Sequence, residues 1–362
     1  MRLLFLTDRV SHRGGASNHL MQVIAGMCTR HRVTVASAGI DGNVALPNGV
    51  THIRVQGLRT GAAQDKGLTR LPDLLANADV VHIQNVMNPT AIKLAKERPC
   101  VATIQDHRVF CPGPGRTLPS GSRCTEPMND RTCGTCLPND ERRGRMLALT
   151  QARNQSLLGI PLIVLSNYMA EEMEAIGHMR PTIIPPYTEV GPAKNGPGHG
   201  FLMAGRLVHH KGIDLGHRAW QLAHTTHPLR IAGLGPAIDS LNDVEPLGWL
   251  NASALREALK NARALLFPSR WQEPYGIIGV EALAMGTPVI AMVRGGMPDW
   301  TGPGTISVSA GDVDGMAAAI ATLAHHPDRA MAMGIAGQQR LRQQHSAQKV
   351  LDQIDALYDS TQ

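Results

Sequence analysis

Aromatic side chains make up only 3% of the 362 residues, so the chain has few platforms on which unpaired bases could stack. Its basic residues are dispersed as well, which leaves a zinc-containing nucleic-acid-binding module a remote alternative in spite of the net charge of +6. No apolar run approaches the roughly 20 residues that cross a bilayer. The apolar start is interrupted by Asp8 and Arg9 with no small-residue cleavage site behind it, so it reads as a buried strand and not as a signal peptide. A soluble or peripheral protein is expected. Neither the glycine spacing of a dinucleotide fingerprint nor that of a P-loop occurs, which weighs against hydride transfer and ATP hydrolysis. Tandem repeats and low-complexity tracts are also missing.

What is present is enough chain for two domains, since a single core stops growing at roughly 250–300 residues. Residues 1–190 carry 21 Lys+Arg against 15 Asp+Glu, and the remainder is balanced at 14 and 14, so the first half should prefer anionic partners. Short β-type runs alternate with helical stretches, the pattern of parallel sheets with crossover helices. Strands are expected at 2–7, 32–37, 80–84, 101–105 and 162–165, then at 200–204, 229–232, 264–267 and 288–291. Residues 191–200 are rich in Gly and Pro and read as a linker between a domain at 1–190 and a second at 201–345. The helical stretch within 346–362 is expected to cross back to the first domain. Helices are expected at 212–224 and 251–261, with Asn251 or Ser253 as N-cap of the latter.

Three loops carry residues suited to chemistry. Ser11-His-Arg-Gly14-Gly15-Ala-Ser-Asn-His19 follows the first strand and leads into an apolar helical segment, where backbone amides can converge on a phosphate. Arg206 and Lys211 share a loop after the first strand of the second domain, at the strand end where open α/β sheets bind ligands; a fork and a point charge together can neutralise a diphosphate. Glu273 and Glu281, in Pro268-Ser-Arg-Trp-Gln-Glu273-Pro-Tyr-Gly276-Ile277-Ile-Gly-Val-Glu281, are spaced to reach different hydroxyls of one extended ligand. The bland reading makes Glu281 a helix-surface residue and Glu273 a partner of the helix N-terminal dipole.

Gly205–Gly212, Leu229–Gly235 and Pro268–Val289 together resemble family 4 of the retaining glycosyltransferases. The resemblance implies the GT-B architecture: two Rossmann-like doubly wound domains facing a central cleft. The C-terminal domain would bind the nucleotide sugar, and the N-terminal one would bind a hydroxyl acceptor. It places Arg206 and Lys211 on the donor diphosphate, Glu273 on the transferred sugar, and Glu281 on the ribose. Gly233, Gly235, Trp249, Leu250, Gly276 and Ile277 would line the donor site, with Gly14 and Gly15 closing over the phosphates. The donor it implies is a UDP- or GDP-sugar, used by front-face displacement with retention and without a catalytic metal. A nucleotide-sugar epimerase and a sugar phosphorylase are alternatives with similar donor contacts.

Two departures stand out. Many relatives carry Thr-x-His-Asp where this chain has Thr103-Ile-Gln105-Asp106-His107, so Asp106 and His107 are the acceptor-side candidates. The Gly-Gly-x-x-Glu of relatives appears as Gly295-Gly296-Met-Pro-Asp299. Acceptors compatible with a basic first domain include a lipid-linked glycan at the cytoplasmic membrane face, a polysaccharide precursor and a small anionic metabolite. Cys111, Cys124, Cys133 and Cys136 fall in a Pro/Gly-rich insertion at about 108–140, like one found in a subset of the family. Structural zinc, a disulfide arrangement and free thiols all remain open for them.

Overall fold

The computed structural model describes residues 1–42, 44–61 and 63–362. It divides into two compact units. The first comprises Met1–Pro119, Cys124–Pro186 and Gln348–Gln362, and the second Ser120–Arg123 and Tyr187–Ala347. Among the described residues, no helix is long and apolar enough to cross a membrane.

The first unit is built on a parallel sheet of β1 (Arg2–Thr7), β2 (Arg32–Ser37), β3 (Thr51–Arg54), β4 (Val80–Gln84), β5 (Cys100–Ile104), β6 (Leu162–Val164) and β7 (Thr182–Ile183). Its order is β3-β2-β1-β4-β5-β6-β7. The second unit's sheet comprises β8 (Phe201–Ala204), β9 (Leu229–Ala232), β10 (Val244–Gly248), β11 (Ala264–Phe267), β12 (Val289–Met292) and β13 (Thr305–Val308). It runs β10-β9-β8-β11-β12-β13, and all of its pairs are parallel. Each unit is therefore a doubly wound α/β sheet, whose order reverses between β1 and β4 in one and between β8 and β11 in the other.

Four strands were not legible in the sequence: β3, β7, β10 and β13. These are the outer strands of the two sheets. Interior strands of a parallel sheet are covered on both faces and read as apolar runs, as in β4 and β11, which are buried throughout. An edge strand has a neighbour on one side only. The exposed and half-buried residues of Thr51–Arg54 and Val244–Gly248 carry no such run.

The helix Ala347–Asp359 packs in the first unit, burying Val350, Leu351, Ile354 and Tyr358 at helical spacing. Leu351 rests against Gly26, where an added Cβ would lie 2.6 Å from its methyl carbons. Arg30 pairs with Asp352 at 2.8 Å and Asp355 at 2.7 Å, and the Tyr358 hydroxyl meets buried His82 Nδ1 at 2.5 Å.

Candidate functional site

In an open α/β sheet the crevice beyond the strand ends, where the order reverses, is the natural ligand site. In the second unit that crevice lies after β8 and β11. The loop after β8 carries Arg206 and Lys211, and the loop after β11 carries Ser269, Trp271 and Glu273. The His210 carbonyl ties the two loops together by accepting from Arg270 N at 3.0 Å and Trp271 N at 3.1 Å. The Arg270 guanidinium adds two hydrogen bonds to Asp214, at 2.5 and 2.6 Å, on the helix that follows Lys211.

Lys211 Nζ lies 2.7 Å from Glu273 Oε1, and the Ser269 hydroxyl donates to the same oxygen at 2.7 Å. Two donors thus hold one oxygen of a carboxylate that is 4% exposed, while Oε2 has no hydrogen-bond partner among the described residues. The Lys211 ammonium also sits 4.8 Å from the centre of the Trp271 ring, a cation–π contact that limits where it can swing. Arg206 is exposed and makes no ion pair among the described residues. Burial pushes His210 down to about 4, and the Lys211 and Arg206 charges reinforce that, so the loop presents these cations beside a neutral imidazole.

The sheet's other loops complete the rim. Gly233 N donates to Gly248 O at 2.7 Å, and a Cβ on Gly233 would stand 1.8 Å from Gly205 O, so only glycine lets these loops touch. Gly235, Trp249 and Leu250 are half-buried beside them. Gly295, at φ +57, has space for no Cβ because the Glu273 backbone lies against it, and Gly296 N donates to Glu273 O at 2.7 Å. Gly276 precedes the helix Ile277–Ala284, which carries Glu281 a little over one turn on. Burial raises the Glu281 carboxyl to about 7, and Arg256 only partly counters it. The structure therefore brings Arg206, Lys211, Glu273 and the glycine rim to the ends of neighbouring strands of one sheet. Ser269 and Trp271 were not singled out beforehand, because a serine and a tryptophan within a motif give no sign that they steady its glutamate.

In the first unit Gly14 is the N-cap of the helix Gly15–Met27, with no side-chain cap. Buried His19 on that helix has Nδ1 2.9 Å from Gln105 Oε1, and Gln105 Nε2 donates to Ala16 O at 3.0 Å. The glutamine standing where relatives carry histidine is therefore tied to a histidine from the neighbouring helix. Burial depresses that imidazole, and Gln105 offsets the shift only in part. Asp106 holds Arg108, with Arg108 Nε 2.7 Å and Nη2 2.6 Å from Asp106 Oδ2. Burial pushes Asp106 up, but the Arg108 charge and hydrogen bonds outweigh it and leave the group low. His107 turns the other way. It is 3% exposed, lies 3.0 Å from the Tyr168 hydroxyl and packs on Phe110, apart from the pocket that Asp106 lines.

The zinc expectation gains no support. Cys111, Cys124, Cys133 and Cys136 line one pocket and are free of disulfides. Yet among the described residues no group of three or more His, Cys, Asp or Glu side chains is placed to hold a metal ion. A staple in this apolar-poor stretch is supplied by Arg116, which pairs with buried Glu172 at 2.7 Å and donates to Glu126 O at 2.6 Å. Cys124 N in turn donates to Arg116 O at 2.8 Å. These ionic hydrogen bonds help hold the segment.

Residues 198–326 match the family model described as glycosyl transferases group 1. The chain is 32% identical over 180 residues to the glycogen synthase of Mycobacterium tuberculosis H37Rv, covering 46% of this chain and 43% of that one. A GDP-mannose-dependent phosphatidylinositol monomannoside mannosyltransferase of Corynebacterium glutamicum is 33% identical over 150 residues, covering 36% and 39%. The alignments thus span less than half the length of these curated relatives. Among solved structures, sucrose-phosphate synthase from Thermosynechococcus elongatus superposes with a TM-score of 0.72 at 17% identity over 99% of this chain and 98% of that one. Anabaena HepE in complex with UDP-glucose gives 0.72 at 15% identity over 99% and 100%. At such identities the likeness shows the fold, which is GT-B.

Proposed function

We propose that this chain is a retaining glycosyltransferase that moves a sugar from a nucleoside-diphosphate sugar to a hydroxyl acceptor. The observation that carries the reading is the arrangement of Arg206, Lys211 and Glu273 at the point where the second sheet's strand order reverses. It is supported by the group 1 match over the same unit and by the UDP-glucose in the similarly folded HepE.

In this reading Lys211 and Arg206 take the diphosphate. Glu273, with Oε1 anchored by Lys211 and Ser269, offers Oε2 to the hydroxyls of the transferred sugar. Glu281 accepts from the ribose. The acceptor oxygen bonds to the anomeric carbon on the face from which the diphosphate departs. As the bond from that carbon to the phosphate oxygen breaks, the acceptor's proton passes to the departing phosphate. No protein nucleophile takes part. The protein supplies alignment and fixed positive charge where negative charge grows.

A UDP- or GDP-sugar is the donor expected. Thermal-shift screening of UDP-, GDP-, ADP- and TDP-sugars tests this, since a ligand that binds only the folded state raises its melting temperature. Stabilisation by one donor class, followed by transfer to a hydroxyl with the anomeric configuration kept, is the expected outcome. No stabilisation by any nucleotide sugar, or epimer formation from the donor alone, would overturn the proposal.

A further inference from the structure

The ends of β4 and β5 in the first unit open onto a pocket whose polar lining includes Asn85, Gln105, Asp106, Arg108 and Arg153, against an apolar wall that includes Ile83. Arg153 comes from the helix Asp140–Leu157 and is 2% exposed. Its Nε donates to the Met87 carbonyl at 2.9 Å, and Nη2 faces only the Met87 thioether, at 3.8 Å. Sulfur in a thioether is a weak acceptor. Among the described residues no carboxylate lies within ion-pair distance of Arg153. The nearby acids are engaged elsewhere: Asp106 is held by the Arg108 fork, and Asp8 lies 3.6 Å from Arg108 Nη1.

A guanidinium buried without a carboxylate costs more than an apolar side chain of the same volume would. The site leaves its charge incompletely compensated: burial first, then the Arg108 charge, bring Arg153 down to about 10. The pocket rim is also strained. Asn85, directly after β4, sits at φ 63, a conformation that non-glycine residues adopt at a cost and that recurs where ligands are handled.

Resting on the glycosyltransferase reading, we infer that Arg153 binds an anionic group of the acceptor, so that the acceptor class is a hydroxyl compound bearing a carboxylate or a phosphate. The planar fork suits bidentate pairing with either group, and the apolar wall strengthens the pairing by excluding water. Arg108, balanced by its two aspartates, shapes the pocket beside it. Asp106 and Gln105 then remain on the same lining for the acceptor's neutral hydroxyls.

The test is calorimetric titration of the full-length chain carrying Arg206→Ala and Lys211→Ala, so that the cations of the second unit take no part. The probes are glucose 6-phosphate, glucuronate and glucose. The expected result is at least about tenfold tighter binding of one or both charged sugars than of glucose, a margin of about 1.4 kcal/mol; which charged probe wins distinguishes a phosphate-bearing from a carboxylate-bearing acceptor. Adding Arg153→Gln should abolish the margin, and Arg153→Lys should retain part of it. Should the Gln variant fail to fold, the Lys variant decides, because loss of the fork must shrink the margin while the charge is kept. Equal affinity for all three probes, or a margin unchanged by both substitutions, would overturn the inference. Failure of the donor reading appears separately, as the absence of nucleotide-sugar binding by the unsubstituted chain.

Discussion

The two units share one winding scheme, with a strand order that reverses beside the first strand of each sheet, yet they place different chemistry at that reversal. After β8 and β11 the loops present charge: exposed Arg206, and a Lys211–Glu273 pair 2.7 Å apart. After β1 and β4 lie two glycines and a buried neutral network of His19, Gln84 and Gln105. The same backbone arrangement thus offers an exposed cation beside a single ion pair in one unit, and in the other a buried neutral network flanked by the Asp8–Arg108–Asp106 cluster. A doubly wound sheet fixes where a site can lie, and its side chains decide what the site does.

That contrast breaks most visibly through Lys211. Lys211→Ala or Glu273→Gln should lower turnover by about 10²–10³-fold, the usual scale for losing one preorganised transition-state contact. Circular dichroism of either variant should match the unsubstituted chain. Steady-state rates with the donor found by thermal screening check this, and rates near normal would remove the charge pair from the site.

The first unit should respond in stability instead. His82 lies 2.5 Å from the Tyr358 hydroxyl and 2.7 Å from Thr103 Oγ1, and burial brings its pKa from 6.5 down to about 3. The folded state therefore binds fewer protons than the unfolded state between these values, and stability contributed by neutral His82 is lost as pH falls from about 6.5 toward 3. His82→Asn should cost about 1–3 kcal/mol at pH 7, as expected when buried hydrogen-bond partners are stranded. It should also flatten the pH dependence over that window, as read by denaturant midpoints from pH 4 to 7. A variant as stable and as pH-sensitive as the parent would contradict this.

The smallest effect sharpens the comparison inside the second unit. Burial raises Glu281 to about 7, above its ordinary 4.5, so its stabilising contribution is greatest in acid and falls as pH rises through about 7. Its ionised form, populated above that value, is the one suited to accept from a ribose. Glu281→Gln should therefore raise the melting temperature at pH 8 while weakening donor binding there by about tenfold. Titrations at pH 6 and 8 check both signs: the unsubstituted chain should bind the donor more tightly at pH 8 than at pH 6, and a variant that binds it as tightly as the parent at pH 8 would separate Glu281 from the ribose.

Legibility differed by location. Arg206, Lys211 and Glu273 could be proposed from the sequence because they lie in the loops after buried strands, with Glu281 on the helix that follows, and the end of a buried parallel strand is a place that local pattern marks. Arg153 was not, since the helix Asp140–Leu157 also carries Arg142, Arg143 and Arg145, and nothing local says which arginine faces inward. The four cysteines mark another limit: a spacing suited to chelation says which thiols can meet, and they do line one pocket, but among the described residues no group of three or more is placed to hold a metal ion.

From the sequence alone followed the alternation of strand and helix, the division into two lobes and the charged loops of the second, because each depends on neighbours in the chain. The edge strands, the inward turn of Arg153 and His107, and the seating of Tyr358 on His82 were decided only by tertiary structure. Each depends on partners distant in the chain, and burial and hydrogen bonding act on proximity in space.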